Sequence, residues 1–208
     1  MQLRRLSILT VAVATSWLCS FGLLTNASAQ ITPSADAFTN IADPSTNYGA
    51  TGLLNVEGSG AAAYIQFDLS SIPAGVSVSQ ATLKLYVNGV TTPGGFNVRY
   101  VSGAWTESTI TSILAPAHGA VIASNVSLSA SDKNQYVLIN ITPAVVAWLN
   151  GSEANNGLAL VANGAINVSF DSKENTTTSH PAELDIVFSG AQGPAGAGGP
   201  PRAPRPHR

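Results

Sequence analysis

The chain has 208 residues, of which 45% are hydrophobic and only 10% charged. That length suits one domain with a sizeable core, and so little charge argues against a charge-rich disordered chain. Between residues 30 and 189 only Lys84, Arg99, Lys133 and Lys173 stand against eleven acids, which argues against nucleic acid or anionic membrane as a partner.

The N-terminal segment carries Arg4 and Arg5, then an apolar run from Leu6 to Leu24, then Ala27-Ser28-Ala29. This order predicts a Sec-type signal over residues 1–29, cleaved after Ala29, and a secreted extracellular product free of the membrane. An uncleaved anchor is the alternative, since the run approaches the roughly 20 residues that span a bilayer. Cys19, the single cysteine, lies inside this segment, so the mature chain has no disulfide and no thiolate metal site.

From residue 30 to 189 the pattern is of short strands. Ile65, Phe67 and Leu69 alternate with Gln66 and Asp68. Leu83, Leu85 and Val87 share one face, with Lys84 on the other. Phe96, Val98 and Tyr100 form a third set, and Val137, Ile139 and Ile141 a fourth. Ile166, Val168 and Phe170 form a fifth, and Leu184, Ile186 and Phe188 a sixth. Period two with one polar face predicts half-buried antiparallel strands whose apolar faces cover one another in a β-sandwich. Asn163-Gly164 between two apolar runs predicts a two-residue hairpin, and Asn88-Gly89, Pro73-Ala74-Gly75 and Pro93-Gly94-Gly95 predict other turns. One helix is expected over Thr142–Gly151, with Thr142 as cap, Pro143 in the first turn, Gly151 as left-handed stop, and Val145, Trp148 and Leu149 facing the core.

Residues 190–208 change character. Glycine recurs at 190, 193, 196 and 199, the period of a collagen triple helix. Four triplets cannot hold three chains together alone. A flexible Gly/Pro tail and the stub of a collagen-like, self-associating stalk both remain open readings.

The order of motifs from Ala35 to Ser189 resembles the DNRLRE domain, a secreted β-sandwich related to carbohydrate-binding module family 96. The resemblance rests on Ala35-Asp36-Ala37-Phe38, Asn47-Tyr48-Gly49, the block Ala63 to Gly75, Ala81 to Val87, and Trp105-Thr106-Glu107-Ser108-Thr109. It continues through Trp148-Leu149-Asn150-Gly151, Asn156-Gly157-Leu158, Phe170 to Asn175 and Pro181-Ala182-Glu183-Leu184. It implies an all-β, jelly-roll-like antiparallel sandwich with one short helix, and a non-catalytic domain that binds an extracellular or cell-wall polysaccharide. Relatives often carry a second tryptophan and paired asparagines where this chain has Thr111-Ser112-Ile113-Leu114-Ala115-Pro116.

The candidate residues follow from chemistry. Sugar binding calls for accessible rings and polar neighbours, so Trp105, Tyr48, Tyr100 and Glu107 are the ligand-binding candidates. Asp36, Asp68, Asp171 and Glu174 are hard oxygen donors and the candidate calcium ligands, although no spacing in the chain demands calcium. The residues 30–189 are themselves acidic, so an acidic polysaccharide would need a bridging cation, whereas a neutral glycan stacked on Trp105 would not. No H-E-x-x-H, G-x-S-x-G or phosphate-cradling loop is present, and catalysis is not expected. A surface or matrix protein headed by the sandwich is the alternative function.

Overall fold

A computed structural model describes residues 27–73 and 75–189. The predicted signal over 1–29 lies outside them except for its last three residues, and the collagen-like tail lies wholly outside. The strands are β1 (Ser28–Ile31), β2 (Pro33–Asn40), β3 (Leu53–Glu57), β4 (Ala61–Phe67), β5 (Val78–Thr92), β6 (Gly94–Val101), β7 (His118–Leu128), β8 (Tyr136–Asn140), β9 (Leu158–Asn163), β10 (Asn167–Asp171) and β11 (Glu183–Phe188). Helix α1 (Thr142–Asn150) separates β8 from β9.

All pairings are antiparallel. They run β1-β11-β5-β10-β3-β4-β9-β6-β7, with β8 added to β5 and β2 to β4. The sheet curls so that its β1-β11-β5-β8 part covers the rest. The shared core takes Leu83, Leu85, Ile139, Leu184 and Ile186 from that part, and Leu54, Ile65, Phe67, Val98, Leu160 and Phe170 from the other. The alternation in β5 explains the arrangement. Ala81, Leu83, Leu85 and Val87 are buried, while Thr82, Lys84 and Tyr86 point outward. The all-β sandwich expected from period two is therefore the fold.

Strand β5 belongs to both layers. Its residues up to Tyr86 pair with β11 and β8, and from Val87 onward it pairs with β10. The register with β10 steps from Val87 to Gly89, leaving Asn88 as a bulge. Asn88-Gly89 is thus a bend inside a strand and not a turn. A bulge increases local twist, which lets one strand pass from layer to layer.

Asn163-Gly164 does not close a hairpin either. Strand β9 lies between β4 and β6, and β10 between β3 and β5. Gly164 has φ 92°, but Asn163 stays in β9. Leu158, Ala159 and Leu160 are all fully buried, so β9 is covered on both faces, and β3 and β4 lie between β9 and β10 in the sheet. The close hairpin is β3–β4 instead, through Gly58-Ser59-Gly60, with Glu57 paired to Ala61.

In α1, Pro143 and Gly151 (φ 77°) take the expected places, but Thr142 does not cap. Its Oγ1 accepts a hydrogen bond from the Ala81 N–H at 2.8 Å, tying the helix start to β5. Val145 and Trp148 are buried beneath it. Strand β1 is an edge strand, and Ser28 and Ala29, just before the predicted cleavage point, pair with Val187 and Ile186.

Candidate functional site

Three segments distant in sequence bring carboxyl groups together. Asp36 sits mid-strand in β2 and is 0% exposed. Glu107 lies in the long β6–β7 connection, where Asn47 Nδ2 donates to the carbonyls of Glu107 and Ile110, each at 2.7 Å. Glu174 and Lys173 follow β10, in a turn where Ser172 Oγ accepts the Glu174 N–H at 3.1 Å. Oxygens from Asp36, Glu107 and Glu174 lie within 4.8 Å of one another.

The hydrogen bonds among them are specific. The Asp36 N–H donates to Glu107 Oε1 at 2.8 Å, and the Lys173 N–H donates to Asp36 Oδ2 at 2.9 Å. Lys173 Nζ donates to Glu107 Oε2 at 2.9 Å and also to Glu174 Oε1. Asp36 Oδ1 and Glu174 Oε2 have no partner. Burial pushes the Asp36 carboxyl up to about 7, with Glu174 adding to the rise, against the opposing Lys173 backbone N–H and ammonium. The bond to Glu174 holds the Lys173 ammonium above its usual value.

Of the four candidate calcium ligands, the fold thus joins Asp36 and Glu174, and it adds Glu107, expected as a sugar ligand. Asp171 is buried in a separate network. It accepts from Asn88 Nδ2 at 2.8 Å, Asn175 Nδ2 at 3.1 Å, the Thr178 hydroxyl and the His180 N–H at 3.2 Å. With its oxygens so occupied, it pins the β10–β11 turn. Asp68 is exposed and accepts the Ser70 N–H at 2.8 Å, which holds its carboxyl below the usual range.

The three aromatic candidates are engaged in packing. Trp105 is half-buried, donates Nε1–H to the Asn156 carbonyl at 2.9 Å and meets Tyr64 edge-on. Tyr48 stacks on Phe38 at 4.2 Å, with its hydroxyl on Asp43. Tyr100 packs against the Trp148 ring.

A different aromatic group lies on the outer face of β1-β11-β5-β8. Tyr86 stacks on His180 with ring centroids 4.1 Å apart, and Tyr136 meets both rings edge-on at 5.3 and 5.9 Å. Tyr86 and Tyr136 are directly paired across β5 and β8. Tyr136 is 39% exposed and the neighbouring outward Leu138 is 64% exposed. Polar groups border the rings. Lys84 Nζ lies 5.4 Å from the Tyr136 centroid and is bound to Glu183, and Gln30 Nε2 donates to Glu183 and Asp185 at 2.9 and 3.1 Å. The sequence held a signal for this group: Tyr86 shares Lys84's side of the alternation, opposite the leucines, so an outward ring beside charge was legible. His180 reaches it only through the β10–β11 turn, which no local pattern announces.

No curated protein matches this chain. The model of carbohydrate-binding module family 96 matches residues 27–186, nearly the whole described sandwich from β1 into β11. On that match, together with the sandwich architecture, the chain belongs to carbohydrate-binding module family 96.

Proposed function

We propose that this chain is a secreted, non-catalytic polysaccharide-binding module, and that it meets the polysaccharide on the outer face of β1-β11-β5-β8 around Tyr86 and Tyr136. The observation that carries the reading is the pairing, on one sheet face, of the partly exposed Tyr136 and His180 rings, packed on Tyr86, with fixed polar groups, in a chain of a carbohydrate-binding family. Sugar C–H faces are weakly electropositive and stack on the negative face of an aromatic ring, while sugar hydroxyls bond to amides and carboxylates. Glu183, Asp185 and Gln30 offer such partners beside the rings. The flat geometry suits a chain polymer lying across the sheet better than a small molecule, which prefers a concave pocket.

Catalysis is disfavoured by how the carboxyl groups are used. A glycosidase needs two carboxyls facing one cleft with room for substrate between them. Here Glu183 and Asp185 hold Lys84 and Gln30 on an open face. Asp36 is sealed, and Glu107 and Glu174 are bound to Lys173. Secretion follows from the charged start, apolar run and Ala-Ser-Ala site. The test uses protein recovered from the medium, expected to begin at Gln30 on N-terminal sequencing. Affinity electrophoresis should show retardation by at least one polysaccharide from a panel of neutral and uronate-containing polymers. Binding to neutral polymers should survive chelator, and binding to polyanions should need a divalent cation, given the acidic surface. An intact Met1 chain held in membranes would overturn secretion, and no retardation by any polymer would overturn binding.

A further inference from the structure

One strand and two loops converge on one buried carboxyl group that the fold leaves half-satisfied. Asp36 is 0% exposed, and only its Oδ2 has a donor. Oδ1 has none, and neither does Glu174 Oε2 beside it. A buried carboxylate oxygen without a donor is costly, so the Asp36 and Glu174 oxygens either share a proton or take a cation between them. Three acids and one lysine also leave the cluster with an excess of negative charge. We propose that Asp36, Glu107 and Glu174 form a binding site for a calcium ion, which the unpartnered oxygens of Asp36 and Glu174 complete.

The donor set selects the ion. All three ligands are carboxylates, whose hard oxygens suit calcium or magnesium over the transition metals held by imidazole and thiolate. Magnesium keeps much of its water and demands an octahedron, whereas calcium accepts irregular sets of six to eight oxygens. A carboxyl as dry as Asp36 therefore favours calcium.

Lys173 is the competitor. Its ammonium bridges Glu107 and Glu174, the charge a metal would neutralise. Its side chain is 27% exposed, so it can swing to solvent when a divalent ion enters. The consequence is structural as well. The site joins β2, the β6–β7 connection and the turn after β10, and that turn runs on to His180, which stacks on Tyr86. An ion there would brace the loop carrying one ring of the outer face. The site itself stands independently of the polysaccharide reading.

The test is a thermal melt of the mature protein in chelator, in calcium chloride and in magnesium chloride, with calorimetric titration of calcium alone. At about a hundredfold excess over its dissociation constant, calcium should raise Tm by roughly 5–10 °C, and magnesium should do less. Asp36→Asn and Glu107→Gln keep shape and the backbone hydrogen bonds but remove charge. Both should melt cooperatively in chelator and lose the calcium response. Lys173→Met removes the competitor and should bind calcium at least about tenfold more tightly, since the displaced ion pair is gone. If neither wild type nor Lys173→Met responds to calcium, the lysine is the site's permanent cation and the proposal is wrong. If calcium acts equally on Asp36→Asn, it binds elsewhere, and the proposal is equally wrong. Loss of polysaccharide binding with the calcium response intact would strike the functional reading and leave this one standing.

Discussion

At the residue scale, buried ionisable groups set how the domain answers pH. The His118 ring accepts or donates to the Tyr64 hydroxyl at 2.8 Å through Nε2. Burial, then the nearby Arg99 charge, hold its pKa below the usual 6.5. The folded state therefore resists protonation while the unfolded chain takes up a proton below about pH 6.5. His118 contributes stability that is fully present above that value and is lost as pH falls below it. Asp36 acts oppositely: with its carboxyl raised from 3.8 to about 7, the fold loses stability as pH climbs through that interval. The two must be separated by mutation. His118→Gln should flatten the decline of Tm between about pH 7 and pH 5 relative to wild type, and an unchanged slope would show that His118 does not couple to folding. Residues of this kind were the least legible in the sequence. Asp36 is a candidate cation ligand by its chemistry alone, and nothing local shows that β2 is covered on both faces or that Glu107 and Glu174 arrive beside it.

At the element scale, local patterns gave strand identity more reliably than connection. β5, β6, β8, β10 and β11 carry the alternation in their own residues, because each has one face on the core, whereas β4 is buried on both faces at Ala63, Tyr64 and Ile65. β7 does not: its burial is irregular and its register with β6 shifts repeatedly, as expected for an edge strand with little to bury. The turns misled where a strong local preference met a global demand. Asn163-Gly164 has the chemistry of a primed turn, yet β3 and β4 lie between β9 and β10. The Gly58-Ser59-Gly60 turn has a physical constraint to test. A Cβ on Gly58 would sit 2.2 Å from the Gly164 carbonyl oxygen and 2.9 Å from Ala165 Cα, so the β3–β4 turn and the β9–β10 crossover touch backbone to backbone. A side chain at Gly164 meets nothing within 4 Å, and its penalty is the positive φ alone. Gly58→Ala should therefore cost about 2–4 kcal/mol in denaturant unfolding, against about 1 kcal/mol for Gly164→Ala. Equal costs would mean that the two segments separate easily.

At the scale of the whole molecule, a curled sheet with one long shared strand leaves two distinct places for chemistry. One is half-buried among β2 and two loops, where carboxyl groups converge. The other is open, where Tyr86 and Tyr136 face outward between Lys84, Gln30 and two acids. The half-buried place suits a cation and the open one a polymer, and the β10–β11 turn connects them. For polysaccharide binding on the outer face, Tyr136 is the residue to change, because it is 39% exposed and lies outside the core clusters. The decisive measurement is the binding isotherm of Tyr136→Ala and of wild type for the polymer that retards the wild type most strongly, at equal Tm. At least about a tenfold loss of affinity is expected, the size of a lost aromatic contact. Undiminished binding by a folded Tyr136→Ala, repeated for Tyr86→Ala, would contradict it and move the binding surface elsewhere on the sandwich.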